Sequence, residues 1–198
     1  MNSLSESLLA TIREAKTRFV RDYSVRQVLL DDLSFLYDTC VASQGLLLDA
    51  AIEAKVMKDA FREVLWAYYL KHYDEEKGEI ELLLADMASA GIKPSWPDPT
   101  AVAMIGAQYY LLKHVHPVCL LGYLAIMEAD PVPLAVVEKL EAAHGVDLFR
   151  FLRLHAIRDL EHARDLIVLI DKVPHPLVRF VEASTENALK YLGVHYAG

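Results

Sequence analysis

The stretch LHAIRDLEHARDLIVLID, Leu154–Asp171, constrains this chain more than any other. It carries His155, Asp159 and His162 in the spacing H-x-x-x-D-x-x-H. On an α-helix each residue advances about 100°, so Asp159 falls about 40° to one side of His155 and His162 about 20° to the other. All three project from one narrow stripe. Arg158, Glu161 and Arg164 fall towards a wetter side, and Leu154, Ile157, Leu160, Leu166 and Leu169 are expected to supply apolar packing. Two imidazoles and a carboxylate on one line suit iron, manganese or zinc. The competing reading is a solvated helix face that carries histidines. The aspartate on the same line weighs against it, and a metal site needs partners elsewhere in the chain.

The chain has 198 residues, enough for one domain, 1–198, with a sizeable core. It is 54% hydrophobic with a mean hydropathy of +0.21. That surplus needs a thick helical core, an apolar ligand tunnel or an oligomer interface, and a homodimer is the expected assembly. No run reaches the roughly 18 apolar residues of a membrane span. The N-terminal MNSLSESLLATIREAK lacks a basic region followed by an apolar block, so no secretory signal is expected. Two cysteines, Cys40 and Cys119, with no C-x-x-C, fit a reducing cytoplasm. The net charge of −8 argues against phosphate-backbone binding and so against a nucleic-acid partner.

Taken in order, about Ser5–Asp22 reads as a helix, with Leu8, Leu9, Ile12, Ala15, Phe19 and Val20 on one stripe and Ser5 as N-cap. Asp31–Cys40 starts a second helix, and Ala50–Leu70 is a third through Ala54, Met57, Phe61, Leu65 and Tyr68. The pattern continues through Lys71 to a stop at Gly91. Three prolines make Ile92–Pro99 a loop, after which Asp98 or Thr100 caps a helix from Ala101 to about Ala129. Pro117 inside that span predicts a kink or break near His116. A turn at Asp130–Pro133, a helix to Ala143, the Val146–Asp171 helix and a last helix, Leu177–Leu192, complete the chain. No segment alternates strictly, so the fold class is all-α, with about seven helices.

A second chemical cluster is His72, Asp74, Glu75, Glu76, Glu79 and Glu81. His72, Glu75, Glu76 and Glu79 are spaced mostly by threes and fours, so they occupy neighbouring lines of a helix. A solvated acidic face is the bland alternative. Glu128 ends the apolar stretch VCLLGYLAIM, where a lone carboxylate is costly to bury without a partner such as a metal. His116 and Tyr123 share a side and are either pocket lining or satisfied core residues.

With these blocks in place the chain resembles the haem-oxygenase-like diiron proteins, iron-containing redox enzymes related in fold to thiaminase II and pyrroloquinoline quinone synthase. The resemblance spans about residues 60 to 175 and rests on HYDEEKGEIELLLADMASAGI, HPVCLLGYLAIMEAD and LHAIRDLEHARDLIVLID. It implies a single haem-oxygenase-like helical bundle with Glu76, Glu128, His155, Asp159 and His162 on iron-ligand positions. It also implies two iron ions (manganese is the other candidate), Glu128 as a bridging ligand, and a non-haem oxidase or oxygenase acting with dioxygen on a small, partly apolar substrate. One position departs. Glu79 stands where the family often has a histidine, after the glycine of its E-E-x-G-H block. Either Glu79 is itself a ligand in a carboxylate-richer centre, or the centre is mononuclear or metal-free. The alternatives are a metal-free thiaminase II-like or quinone-synthase-like enzyme, towards which Cys119 points, and a non-catalytic helical interaction module.

Overall fold

Local chemistry starts and stops most of the helices. In the computed structural model, which describes residues 3–19, 21–24 and 26–197, helix α1 (Leu4–Lys16) opens on Ser3. The Ser3 hydroxyl accepts from the Glu6 backbone N–H, and the Glu6 carboxylate accepts from the Ser3 N–H. Ser5, expected as the cap, is instead buried inside the helix with its hydroxyl donating to Asp171. The helix ends at Lys16 rather than near Asp22, and Val20, assigned to its stripe, lies outside the described residues.

Helix α2 (Arg26–Val56) is one continuous element where two were expected. Its break falls inside the expected third helix, after Val56, where Asp59 Oδ1 accepts from the Phe61 N–H at 2.8 Å. Such side-chain to backbone bonds compete with helical ones. Helix α3 (Arg62–Glu76) stops before Gly78, whose φ of +92° is a conformation few other residues tolerate. Helix α4 (Ile80–Ala90) ends at Gly91 as anticipated, and Asp98 caps helix α5 (Pro99–His114). The chain breaks at His116, as Pro117 requires, and resumes as a 3₁₀ turn and helix α6 (Leu120–Glu128). Helix α7 (Leu134–His144), helix α8 (Arg150–Ile170) and helix α9 (Val178–Ala197) follow. Residues 146–148, expected to begin the α8 helix, form a 3₁₀ turn. The described residues hold nine α-helices and no strand, and the fold is an all-α bundle. No described helix is long and apolar enough to cross a membrane.

Helix α6 is the axis of the bundle. It is apolar on every side, and from Leu120 to Ile126 none of its large side chains is more than 2% exposed. Helices α1, α5, α8 and α9 pack directly on it. Each such side chain contributes roughly 1.5–3 kcal/mol by leaving water. Because α6 is buried to its end, it carries Glu128 into the interior. A second apolar cluster joins Leu29 and Leu33 of α2, Leu83 of α4, Val137 of α7 and Phe151 of α8. Between the two clusters lies a cavity of about 540 Å³. On α8, Leu166 and Leu169 face inwards as expected, but Ile157 and Leu160 are more than half exposed. They sit about 200° and 140° round the helix from His155, behind the inward stripe.

Candidate metal centre

Four elements deliver ionisable side chains to one place. Helix α3 brings His72, Glu75 and Glu76, spaced by three and four, on a face turned to α8. Helix α8 brings His155, Asp159 and His162 from the stripe its sequence describes. Helix α6 contributes Glu128 and the α3–α4 turn contributes Glu79. Glu79 does not sit one helical turn beyond Glu76 as expected. It is the N-terminal cap residue of α4, swung back to the centre by Gly78.

Two imidazoles organise the cluster. His155 Nδ1 lies 3.1 Å from the Phe151 carbonyl. As a donor there it leaves the Nε2 lone pair facing Glu79 Oε2 at 3.3 Å and Glu76 Oε2 at 3.6 Å. His162 Nδ1 faces Glu76 Oε1 at 3.6 Å, with Glu128 Oε2 and Asp159 Oδ1 each at 3.7 Å. Glu76 therefore offers one oxygen to each imidazole, a spanning position that Glu128, the expected bridging ligand, also holds between a different pair. The two oxygens of Glu128 face His72 Nε2 at 3.0 Å and His162. Glu75 Oε2 is 3.6 Å from His162 Nε2, on the more exposed flank.

The donors fit a hard divalent cation. Glu128 Oε2, Asp159 Oδ1 and His162 Nδ1 are buried without a hydrogen-bond partner. Leaving such atoms unsatisfied costs about 1–3 kcal/mol each. Carboxylate oxygens with imidazole nitrogens are the donor set of iron and manganese, with zinc as a softer alternative. Glu76, Glu79 and His155 form one group able to grip an ion, and His72, Glu75 and His162 form another. Against five carboxylates the only guanidinium in contact among the described residues is that of Arg158, which pairs with Glu79 Oε1. Arg158 was assigned to the wet side of α8, yet it lies only about 60° from His155 and reaches inwards.

Charge and burial pull the titrations apart. Burial, with Glu128 and Glu76 adding to it, pushes the Asp159 carboxyl up to about 7 against the pull of His155 and His72. Burial pushes Glu76 up as well, but His155, His72 and His162 outweigh it and hold that carboxyl below its ordinary range. Burial lowers His162, whereas for His72 and His155 the surrounding carboxylates outweigh burial and raise the imidazole. The Asp159 shift has a testable consequence. Between pH 4 and 7 the unfolded chain has lost the Asp159 proton and the metal-free fold keeps it, so stability falls across that window and the full cost stands above pH 7. Metal-free Asp159→Asn is thus expected to exceed the parent in stability at pH 7.5 by on the order of 4 kcal/mol and to match it near pH 4. Urea melts across this range read the difference, and parallel curves would refute it.

Other singled-out residues are satisfied structurally. His116 Nδ1 accepts from the Val118 N–H and its Nε2 lies 3.2 Å from Asp59. Tyr123 lines the cavity with its hydroxyl 2.7 Å from that of Ser43. Cys119 is off the cavity wall, and burial pushes its thiol up to about 11, so it is not a ready nucleophile. The sequence reading named His72 and Glu75 but left them outside the ligand set. The spacing of His72, three residues before Glu75 and four before Glu76, is the signal available in the sequence.

No family model matches the chain, and no curated protein does. Among solved structures, a domain of unknown function with a haem-oxygenase-like fold from Shewanella denitrificans OS217 aligns at a TM-score of 0.71. It is 19% identical over 98% of this chain and 85% of that one. The all-α bundle described above is thus a haem-oxygenase-like fold.

Proposed function

We propose that this protein is a non-haem di-metal oxidase or oxygenase that uses dioxygen on a small, partly apolar organic substrate. Iron is the favoured metal and manganese the alternative. Glu76, Glu79, Glu128, His155, Asp159 and His162 would hold the two ions. The observation that carries the reading is the convergence of metal-ligand side chains on the wall of an apolar cavity: Glu76, Glu128, His155 and Asp159 all line it, and Glu128 Oε2 and Asp159 Oδ1 are buried there without a hydrogen-bond partner. Bound iron would supply the one-electron and dioxygen chemistry.

The chain's own residues do the rest. Glu76 spans the two imidazoles, and the Phe151 carbonyl orients His155 with its Nε2 inwards. Arg158 holds one oxygen of Glu79 and leaves the other facing His155. Leu83, Leu124 and Phe151 keep the cavity apolar and displace water, which strengthens every electrostatic contact inside it. The Tyr123–Ser43 hydroxyl pair is a polar point on that wall for orienting a substrate.

Anaerobic reconstitution with Fe(II), followed by metal analysis and oxygen-uptake measurements, tests the reading. The expected result is up to two ions per chain and oxygen consumption by the loaded protein. A chain that takes up neither iron nor manganese ends it. Within the same experiment Glu79→Ala should weaken iron binding by about 10-fold or more, whereas Glu79→His should keep or strengthen it. If both variants match the parent, Glu79 lies outside the coordination sphere and a single-ion centre replaces the di-metal one. A reducing, cytoplasmic setting accords with the free thiols of Cys40 and Cys119. We propose a homodimer as well, which would bury exposed apolar side chains such as Ile52 and Val56. Light scattering on the order of tens of micromolar decides it, a monomer refuting it.

A further inference from the structure

We propose that His72 is a metal ligand of this centre, a third imidazole that shares the Glu128 carboxylate with His162. The inference rests on the di-metal reading above and extends its donor set. His72 projects from α3 one turn before Glu76 and is 2% exposed, deeper than any other imidazole of the cluster. Its Nε2 lies 3.0 Å from Glu128 Oε1, while the other oxygen, Oε2, lies 3.7 Å from His162 Nδ1. The two rings are 4.7 Å apart between centres. Tyr68 stacks on the His72 ring at 5.6 Å and fixes its plane. Three donor groups are thus drawn around one spot by three different helices.

A hydrogen-bonded His72–Glu128 pair alone does not account for this arrangement. It satisfies Glu128 Oε1 but leaves Glu128 Oε2 and His162 Nδ1 buried without a partner. One divalent cation satisfies both atoms and accepts the His72 lone pair as well, since a neutral imidazole offers its free nitrogen to a metal as readily as to a proton. Nitrogen–oxygen donor sets of this kind suit iron, manganese and zinc alike.

The test uses the full chain, metal-free, equilibrated anaerobically with Mn(II) and analysed for bound metal. Two variants accompany the parent: His72→Ala, and His72→Gln, which keeps an N–H for Glu128 but has no imidazole. Both are expected to lose one ion per chain, or to bind it more than about 100-fold more weakly, beyond the 10–100-fold that an outer partner costs. Co(II) in the parent should show visible bands that both variants alter. Cooperative thermal melts of the Gln variant establish that it is folded. A Gln variant that binds both ions with parental affinity makes His72 a hydrogen-bond partner only and overturns the proposal. His162→Ala separates the two levels of the argument. If it loses metal while His72→Gln does not, only the His72 assignment fails. If it too binds like the parent, the metal reading itself fails.

Discussion

His162→Ala is expected to lose most of the iron that the parent binds, with affinity down by more than about 100-fold. The reason is geometric. His162 Nδ1 faces Glu76, Glu128 and Asp159 at 3.6–3.7 Å, so one ring touches carboxylates from three helices. Alanine removes the nitrogen and leaves those acids facing one another. Metal analysis after anaerobic loading reads the loss, and unchanged content would reduce the α8 stripe to a helix face that carries histidines. The same site should release metal as pH falls towards and below about 6, because ligand imidazoles must be neutral. His72 and His155 are raised by neighbouring carboxylates and regain protons first, while burial lets His162 hold its lone pair to lower pH.

Gly122→Ala should destabilise the fold by about 3 kcal/mol or more. A Cβ on Gly122 would lie 2.2 Å from the Val181 carbonyl oxygen and 2.8 Å from the Thr185 nitrogen, both backbone atoms of α9. Backbone cannot rotate aside as a flexible side chain can, so α6 and α9 must separate. That separation opens the core, breaks the Thr185 hydroxyl's bond to the Gly122 carbonyl, and moves Glu128 at the other end of α6. For a chain of this size the expected fall in Tm is roughly 6–12 °C. Gly106→Ala, at an exposed position of α5, is the control. A Cβ there meets nothing within 4 Å, and removing a mid-helix glycine should raise stability by about 0.5–1 kcal/mol. Equal melting shifts in both variants would show that the close α6–α9 approach is not what Gly122 provides.

Which residues share one helix face is legible in the order of the amino acids. The His155–Asp159–His162 stripe follows from a 3.6-residue repeat, and the stops at Gly91 and before Pro117 follow from single-residue backbone preferences. Haem-oxygenase-like topology is legible too, through the order of three motif blocks. What the sequence alone does not determine depends on contacts distant along the chain. Why a glycine stands at position 45 inside α2 is understood only from the packing, where the Tyr109 hydroxyl lies 2.6 Å from the position a Cβ would take. Glu79 escapes helical counting because Gly78 reverses the chain just before it. Arg158 and His72 look like ordinary helix residues until α3, α6 and α8 cross, 56 residues separating His72 from Glu128. Periodicity along one helix determined which side chains share a face, and only the packing of those faces around buried α6 decided which of them meet.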